Sequence, residues 1–547
     1  MEKHFPYLSS TGPPPSHHIV TSTYRAAFDV LVKESKLRPL VLPYHLYGCI
    51  LLLLYLCIPH TQSPLIYAAR WPVLAVILAF QWKTLWEATS MSMATGYAAG
   101  LVAAWGAIWS VTWLVLCRPQ FDAKRVERRR VRSGSEAVRE SGGHSNGETM
   151  QGNGKATGYT NGSADLKHRG KEDRDTKGRL ENETGKWEYY WQPYPSNFLD
   201  RFKWTSDLLI NFRGPGWNWA IPPLPPLPPF ILSQLDLEVT SRSISGTSSV
   251  GIQRYDTRRQ LARAILPKFI AGYLLLDILK VLMMKDPYYT FGPTTYALPP
   301  HLFPFNSSPL ILRFIRQAIS SIAIITSLEM TFLLLPLTVP LLFNPSLFGL
   351  RAEPYYWAST WGSFSNILSK GLNGLWGGWW HQIFRSVFAA PSNYLINNGY
   401  VKAGSPTAKI LALVFAFGIS GVLHAAGSIS QFPPTHPSHA PIFFMLQALG
   451  IVLQMSVCSL LHPLIKTLPR SVRQAGNFAF VFAWLFHTGW WLTDDFARGG
   501  IWLYEPIPIS LFRGLGFGGE GDGWWCWGHL GVGWYRGKHW WESGIAI

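Results

Sequence analysis

His424 sits in an uncharged apolar stretch running from Ile410 to Gly427, and 43 residues upstream His381 lies in the aromatic run Leu375-Trp-Gly-Gly-Trp-Trp-His-Gln-Ile-Phe-Arg385. An ionisable side chain at membrane depth is costly, so its presence marks a pathway or a reaction centre. Imidazole shielded from water is neutral at rest and can take a proton from a hydroxyl. Ser420 and Gly421 precede His424 by four and three residues and share its helical face. Gly418 and Gly421 would let a substrate chain or a neighbouring backbone come close. Beside His381, Arg385 follows by four residues, so both can point at one ligand, and a guanidinium suits two-point recognition of phosphate. Arg385, Gln382 and Trp380 are therefore the candidate binding group for a phosphate-bearing co-substrate, although a lipid headgroup would fit the same residues. Two plainer readings stand beside these. A lone helical histidine is more often a satisfied core residue, and the tryptophans alone suit an interfacial belt.

These side chains need a membrane frame to hold them. Of the 547 residues, 48% are hydrophobic and only 14% charged, against about 25% charged in a soluble domain. The apolar residues gather into blocks of about 20, the length that crosses a hydrocarbon core roughly 30 Å thick. The expected fold is an all-α polytopic membrane protein, because backbone groups in lipid must be satisfied within their own segment. Candidate spans are 39–58, 65–82, 93–117, 264–284, 310–343, 407–427, 440–462 and 475–493, with 310–343 divisible near Pro336 and Pro340. That makes eight or nine transmembrane helices, with re-entrant or interfacial helices at 353–395, around a central chamber.

The chain divides into a polar N-terminal segment (1–38), N-terminal transmembrane helices (39–117), a basic insert (118–186), a core (187–510) and a Gly/Trp-rich interfacial tail (511–547). The insert cannot bury enough apolar surface to fold alone and is expected to be disordered. Seven Lys/Arg between Arg118 and Arg132 face only Asp122 and Glu127, a juxtamembrane cluster that reads as a topology signal or a contact for anionic lipid. The formal charge of +17 is therefore no argument for nucleic acid. The proline run 222–229 reads as a stiff connector at the membrane surface. Five cysteines without Cys-x-x-Cys spacing indicate neither a zinc site nor a disulfide framework. Neither His-x-x-x-Asp nor a Walker A phosphate loop occurs. Asp494-Asp495 could bind a cation, but a solvated helix end is the simpler expectation.

At the two histidine elements the sequence resembles the membrane-bound O-acyltransferase superfamily, in particular its wax-synthase-like fungal branch. Leu375-Trp-Gly-Gly-Trp-Trp-His-Gln is similar to that branch's Phe-Trp-Gly-Arg-x-Trp-His-Gln element, and Ser420-Gly-Val-Leu-His424 to its Ser-Gly-x-x-His element. Asn211-Phe-Arg-Gly-Pro-Gly-Trp-Asn-Trp219 and Trp502-Leu-Tyr-Glu-Pro-Ile-Pro-Ile-Ser510 extend the likeness over about residues 190 to 540. Two departures stand out: Gly378 replaces the branch's usual arginine, and Ser369-Lys-Gly-Leu-Asn373 replaces its serine-leucine-arginine lead-in. The resemblance implies that His424 is the catalytic histidine and His381 its companion. It also implies acetyl-CoA or another acyl-CoA as co-substrate and an endoplasmic-reticulum-type membrane; no permanently bound cofactor and no metal are expected. The acceptor it implies is a hydrophobic alcohol. Acetyl transfer to a terpenoid or related secondary metabolite is preferred over wax-ester synthesis from a long-chain alcohol. A rival of another class, a proton-coupled transporter, would use the histidines as a relay, but no internal repeat supports it.

Overall fold

The computed structural model describes residues 14–130, 187–293, 308–343, 348–528 and 532–547. The described residues open on a helix within the segment expected to be a polar lead-in. α1 (His17–Lys33) is amphipathic and turns Val20, Tyr24 and Phe28 onto Met93, Phe432 and Leu503. Next come α2 (Tyr47–Cys57), α3 (Arg70–Glu87) and α4 (Met93–Val111), the last carried on by a π-helical turn to Leu116. α5 (Phe198–Ile210) buries Trp204 and Leu208 in a tryptophan-rich cluster with Trp109, Trp113 and Trp217. α6 (Arg258–Met283) and α7 (Pro309–Leu342) lie side by side. The core is completed by α8 (Ser365–Gly374), α9 (Arg385–Asn397), α10 (Pro406–Ile429), α11 (His439–Leu460), α12 (Arg470–Thr488) and α13 (Trp490–Arg498).

Five helices are long and apolar enough to cross a membrane: Pro64–Glu87, Met93–Leu116, Pro309–Leu342, Pro406–Ile429 and His439–Leu460. The expected eight or nine are not reached by that criterion among the described residues, for identifiable reasons. The 39–58 block folds partly as short strands, leaving a shorter apolar helix, Tyr44–Cys57. The 264–284 block is helical, but its helix carries Arg258, Arg259, Arg263, Lys268, Asp277 and Lys280. The 475–493 block is divided between α12 and α13. Conversely, the suggested break in 310–343 does not occur. Pro336 and Pro340 lie inside one continuous helix, as prolines can in membrane helices where neighbouring groups satisfy the freed backbone.

The small sheets tie distant segments together. β1 (Arg38–Pro39) runs parallel to β3 (Ala88–Thr89), while β2 (Val41–Leu42) pairs with β7 (Gly544–Ala546), which also pairs with β6 (Gly533–Tyr535). The beginning of the basic insert corrects the expectation of disorder. β4 (Arg125–Arg130) and β5 (Trp187–Gln192) form an antiparallel ribbon, and 131–186 lie outside the described residues. The basic side chains are also engaged: Arg129 pairs with Glu188 at 2.8 Å, Arg128 with Glu353 at 3.0 Å and Arg125 with Asp207 at 3.2 Å. The cluster is thus partly a fastening of the fold, not only a charge presented to lipid.

α4 and α10 meet at backbone distance. A Cβ on Gly100 would stand 1.9 Å from the Ala426 carbonyl oxygen, and the Gly100 N–H donates to Ser430 Oγ at 2.9 Å. Ser430 Oγ in turn donates to the Gly96 carbonyl at 2.7 Å. Small residues let membrane helices approach in this way where lipid supplies no hydrophobic drive. The two glycines of the Ile410–Gly427 stretch differ. A Cβ on Gly421 would meet the Pro441 backbone of α11 at 2.8 Å, whereas nothing lies within 4 Å at Gly418. Gly100→Ala is therefore expected to lower the melting temperature measured in detergent, at a cost of about 3 kcal/mol from forced overpacking. Gly418→Ala should leave it unchanged or raised, as a helical glycine replaced in open space gains up to about 1 kcal/mol. Equal melting temperatures for the two variants would show that the contact at Gly100 is not tight.

Candidate active site

His424 is carried by α10, which starts cleanly: Pro406 takes the first helical position and the Ser405 side chain accepts from the Ala408 N–H. The helix spans about 36 Å, and His424 lies in its C-terminal third, five residues and about 8 Å from the end at Ile429. The ring is fixed on two sides. Nδ1 is 2.6 Å from the Tyr97 hydroxyl of α4, and the ring stacks on Phe444 of α11 with centroids 4.9 Å apart and planes at 16°. Nε2 has no hydrogen-bond partner in the protein among the described residues. Tyr97 owes its position to the α4–α10 contact, since its ring fills the space where a Cβ on Gly427 would meet it at 2.7 Å. One turn beyond His424, Ser428 Oγ donates to Asp495 of α13 at 2.7 Å, and that carboxylate also accepts the His436 N–H at 2.6 Å. Asp495 is 1% exposed, so the expectation of a solvated helix end fails for it; burial pushes its pKa up. Asp494 accepts from the Tyr288 hydroxyl at 2.7 Å.

His381 follows a kinked segment. α8 passes through Gly371 at φ +58° and runs into a π-helical turn, Leu375–Trp379. Gln454 of α11 braces the kink by accepting the Leu372 N–H at 2.9 Å and donating to Asn477 at 3.0 Å, and Asn477 donates to the Leu368 carbonyl. The His381 ring is enclosed by Phe332, Trp361, Trp380 and Phe384, all with centroids 5.3–5.8 Å away. Burial first, then the charges of His424 and Arg213, push its pKa down to about 3, so it is neutral at working pH. Its Nδ1 is buried without a hydrogen-bond partner, as is Trp376 Nε1. A chain of ring contacts joins the two histidines. Phe444 meets Trp376 at 6.3 Å, Trp376 meets Trp380 at 5.2 Å, and Trp380 meets His381 at 5.3 Å. Both histidine rings remain partly accessible.

The candidate binding residues do different things. Gln382 is buried, and its Nε2 donates to the carbonyls of Trp376 and Trp380 at 3.0 and 2.6 Å while its Oε1 accepts from Arg385 at 2.7 Å. Its amide is fully used in holding the loop, which removes it as a ligand or an oxyanion donor. Arg385 is exposed and keeps donors free beyond Gln382 and the Gly377 carbonyl. Trp380 packs edge-on to Trp361 at 5.2 Å. The departure at Gly378 also has a physical reason. A Cβ there would stand 2.8 Å from the Asn366 side chain, whose Nδ2 donates to the carbonyls of Val250 and Ser363. An arginine at 378 would have to displace that amide.

Two contacts of the site carried little sequence signal, and one residue carried a signal that local reasoning could have used. Tyr97 is one of 22 tyrosines, and only the helix packing selects it. Ser428–Asp495 links segments 67 residues apart. Glu329 was legible by the reasoning that selects His424: it is an ionisable residue in the apolar helix Pro309–Leu342. It accepts from Trp361 Nε1 at 2.7 Å, and Trp361 in turn touches His381.

Residues 357–446, which hold both histidines, match the membrane bound O-acyl transferase family. The chain is 24% identical over 264 residues to the acetyltransferase ple2 of Rhodocybe pseudopiperita, covering 48% of this chain and 57% of the relative. It is 28% identical over 163 residues to the acetyltransferase eriL of Hericium erinaceus, covering 29% and 41%. With the O-mevalon transferase macI of Penicillium terrestre the identity is 26% over 337 residues, covering 58% and 64%. The chain thus spans less than two thirds of the length of each of these relatives. No solved structure matches it significantly. Both histidine elements thus lie inside a segment similar to the membrane bound O-acyl transferase family, and the chain around them is similar to fungal acetyltransferases and O-mevalon transferases.

Proposed function

We propose that this protein moves an acetyl group from acetyl-CoA to a hydroxyl of a hydrophobic acceptor, a terpenoid or related secondary metabolite, within an endoplasmic-reticulum-type membrane. The observation that carries the proposal is the His424 ring, hydrogen-bonded at Nδ1 to Tyr97 and unpartnered at Nε2, inside the segment that matches the family. In the tautomer that the chemistry needs, Nδ1–H donates to the Tyr97 oxygen and the Nε2 lone pair faces the acceptor. Nε2 takes the hydroxyl proton as the oxygen attacks the thioester carbonyl; the tetrahedral intermediate then collapses, the C–S bond breaks, and the proton passes to the departing thiolate. General-base assistance of this kind gives about 10²–10⁴-fold. His381 Nδ1, in the tautomer that protonates it, and Trp376 Nε1 are buried groups lacking partners, and such N–H groups suit the developing oxyanion. Arg385, exposed next to them, is the candidate anchor for a coenzyme A phosphate.

Two variants test this. Membranes from cells expressing His424→Ala, given labelled acetyl-CoA and a panel of terpenoid and long-chain alcohols, should form no labelled ester above background while the purified variant keeps its melting temperature. Wild-type ester yield from that variant would end the assignment, and label appearing only in long-chain esters would favour wax synthesis. Tyr97→Phe keeps the ring and deletes one hydrogen bond. It should cut kcat about 10- to 100-fold with KM little changed, since a net loss of roughly 1.5–3 kcal/mol is what a polarised hydrogen bond supplies. An unchanged kcat would reduce Tyr97 to a packing residue.

A further inference from the structure

Away from the paired histidines, α1 brings two more against the C-terminal segment. Nε2 of His17 and Nε2 of His18 both point at one oxygen, Oδ1 of Asp522, from 3.2 and 3.0 Å. All three ligand atoms lie within 4.8 Å of one another. Imidazole nitrogens and a carboxylate oxygen bound tetrahedrally to zinc at about 2.0–2.2 Å stand about 3.4 Å apart, and the two nitrogen–oxygen separations here, 3.2 and 3.0 Å, are close to that spacing. A second observation points the same way. His17 is 7% exposed, yet its Nε2 has no hydrogen-bond partner among the described residues, its approach to Asp522 being misaligned for one. Buried polar atoms are almost always paired, and an ion held between the ring and the carboxylate would account for one left outside hydrogen-bond geometry beside Asp522.

The surroundings are arranged to present Asp522. Its Oδ2 accepts the Gly519 N–H at 2.8 Å, so the turn orients the carboxylate and leaves Oδ1 toward the histidines; such outer hydrogen bonds orient metal ligands. The nearest cation, Arg513, approaches Oδ1 only to 3.9 Å because its guanidinium is bound in a two-point contact to Glu505 at 3.1 and 2.7 Å. Lys280 is likewise spent on Glu505, at 3.6 Å, and on the Trp502 carbonyl. Arg513 and Lys280 are thus offset by Glu505 and Asp522. The His18 side chain is half exposed, which leaves an entry path and room for water as a fourth ligand. Two imidazoles and one carboxylate suit zinc-class ions better than the all-oxygen shells of magnesium or calcium.

We propose that His17, His18 and Asp522 form a binding site for a zinc-class divalent cation that clasps α1 to the segment following Arg513. The clasp has a structural consequence. α1 packs through Val20, Tyr24 and Phe28 on Met93, the first residue of the helix that carries Tyr97, so the cation fixes the helix covering that end of α4.

The test uses full-length protein in detergent, purified through a tag without histidine and equilibrated with zinc chloride. Wild type should retain about one zinc per chain by elemental analysis. Asp522→Asn and the double variant His17→Ala/His18→Ala should lose most of it, while the exposed-histidine control His462→Ala keeps it. Because these variants could also weaken the fold, wild type alone supplies a second readout: a chelator should lower its melting temperature and added zinc should restore it. Wild-type zinc no higher than in Asp522→Asn, or a wild-type melting temperature indifferent to chelator and zinc, overturns the proposal and leaves a histidine–aspartate ion pair.

Discussion

The arrangement rests on a small contact: two helix backbones touching at Gly100 and Ala426. Only at that separation can the Tyr97 hydroxyl of one helix reach Nδ1 of His424 on the other, at 2.6 Å. A neutral imidazole has one donor and one acceptor nitrogen, and which is which depends on the partner each finds. Fixing Nδ1 therefore decides what Nε2 can do. The partner is a phenol and not a carboxylate, so the ring is oriented without placing a full charge next to it in a low-dielectric interior. A carboxylate of this region, Asp495, is held by Ser428, one turn beyond His424, and by the His436 N–H.

The His381 segment obeys a different constraint. It is an irregular backbone, a kinked helix followed by a π-helical turn, in a protein whose long helices match a bilayer. Such a backbone persists only where its polar groups are satisfied from within the protein. Gln382, Gln454, Asn366 and Asn477 supply that satisfaction, each spending its amide on main-chain atoms or on one another. This explains why the segment is rich in amides and glycines as well as tryptophans. It also explains why Gln382, adjacent to a candidate catalytic residue, is part of the frame. Within the loop, His381 Nδ1 and Trp376 Nε1 are buried atoms that the frame leaves without partners.

Sequence patterning made the helical class and the positions of both histidines legible, because apolar length and the cost of a buried ionisable group act locally. It was less able to count crossings. A block such as 264–284 is apolar enough to notice, while the charges at both ends of its helix set it apart from the longer spans. The pairing of the basic run with β5 could not be read either, since Glu188 and Glu353 are 59 and 225 residues from the arginines they meet. Tyr97 was hidden for the same reason: 327 residues separate it from His424. The last two failures concern contacts that only the assembled fold creates.

Glu329 is the instructive omission, because local reasoning sufficed to find it. The rule that an ionisable residue in a span needs an explanation applies to it as strongly as to His424, yet a glutamate carries no motif and drew no notice. In the structure it accepts from Trp361, and Trp361 packs against His381, Trp379 and Trp380. Its charge also acts on Arg213, whose pKa burial pushes down to about 10 and which donates to the carbonyls of Ala358 and Ser359. The carboxylate and the guanidinium thus both bear on the wall of the His381 pocket, Glu329 through Trp361 and Arg213 through the carbonyls of Ala358 and Ser359. A neutral His381 follows from its burial, with the positive charge of Arg213 adding to the effect, and so it can act only through the polarity of its N–H.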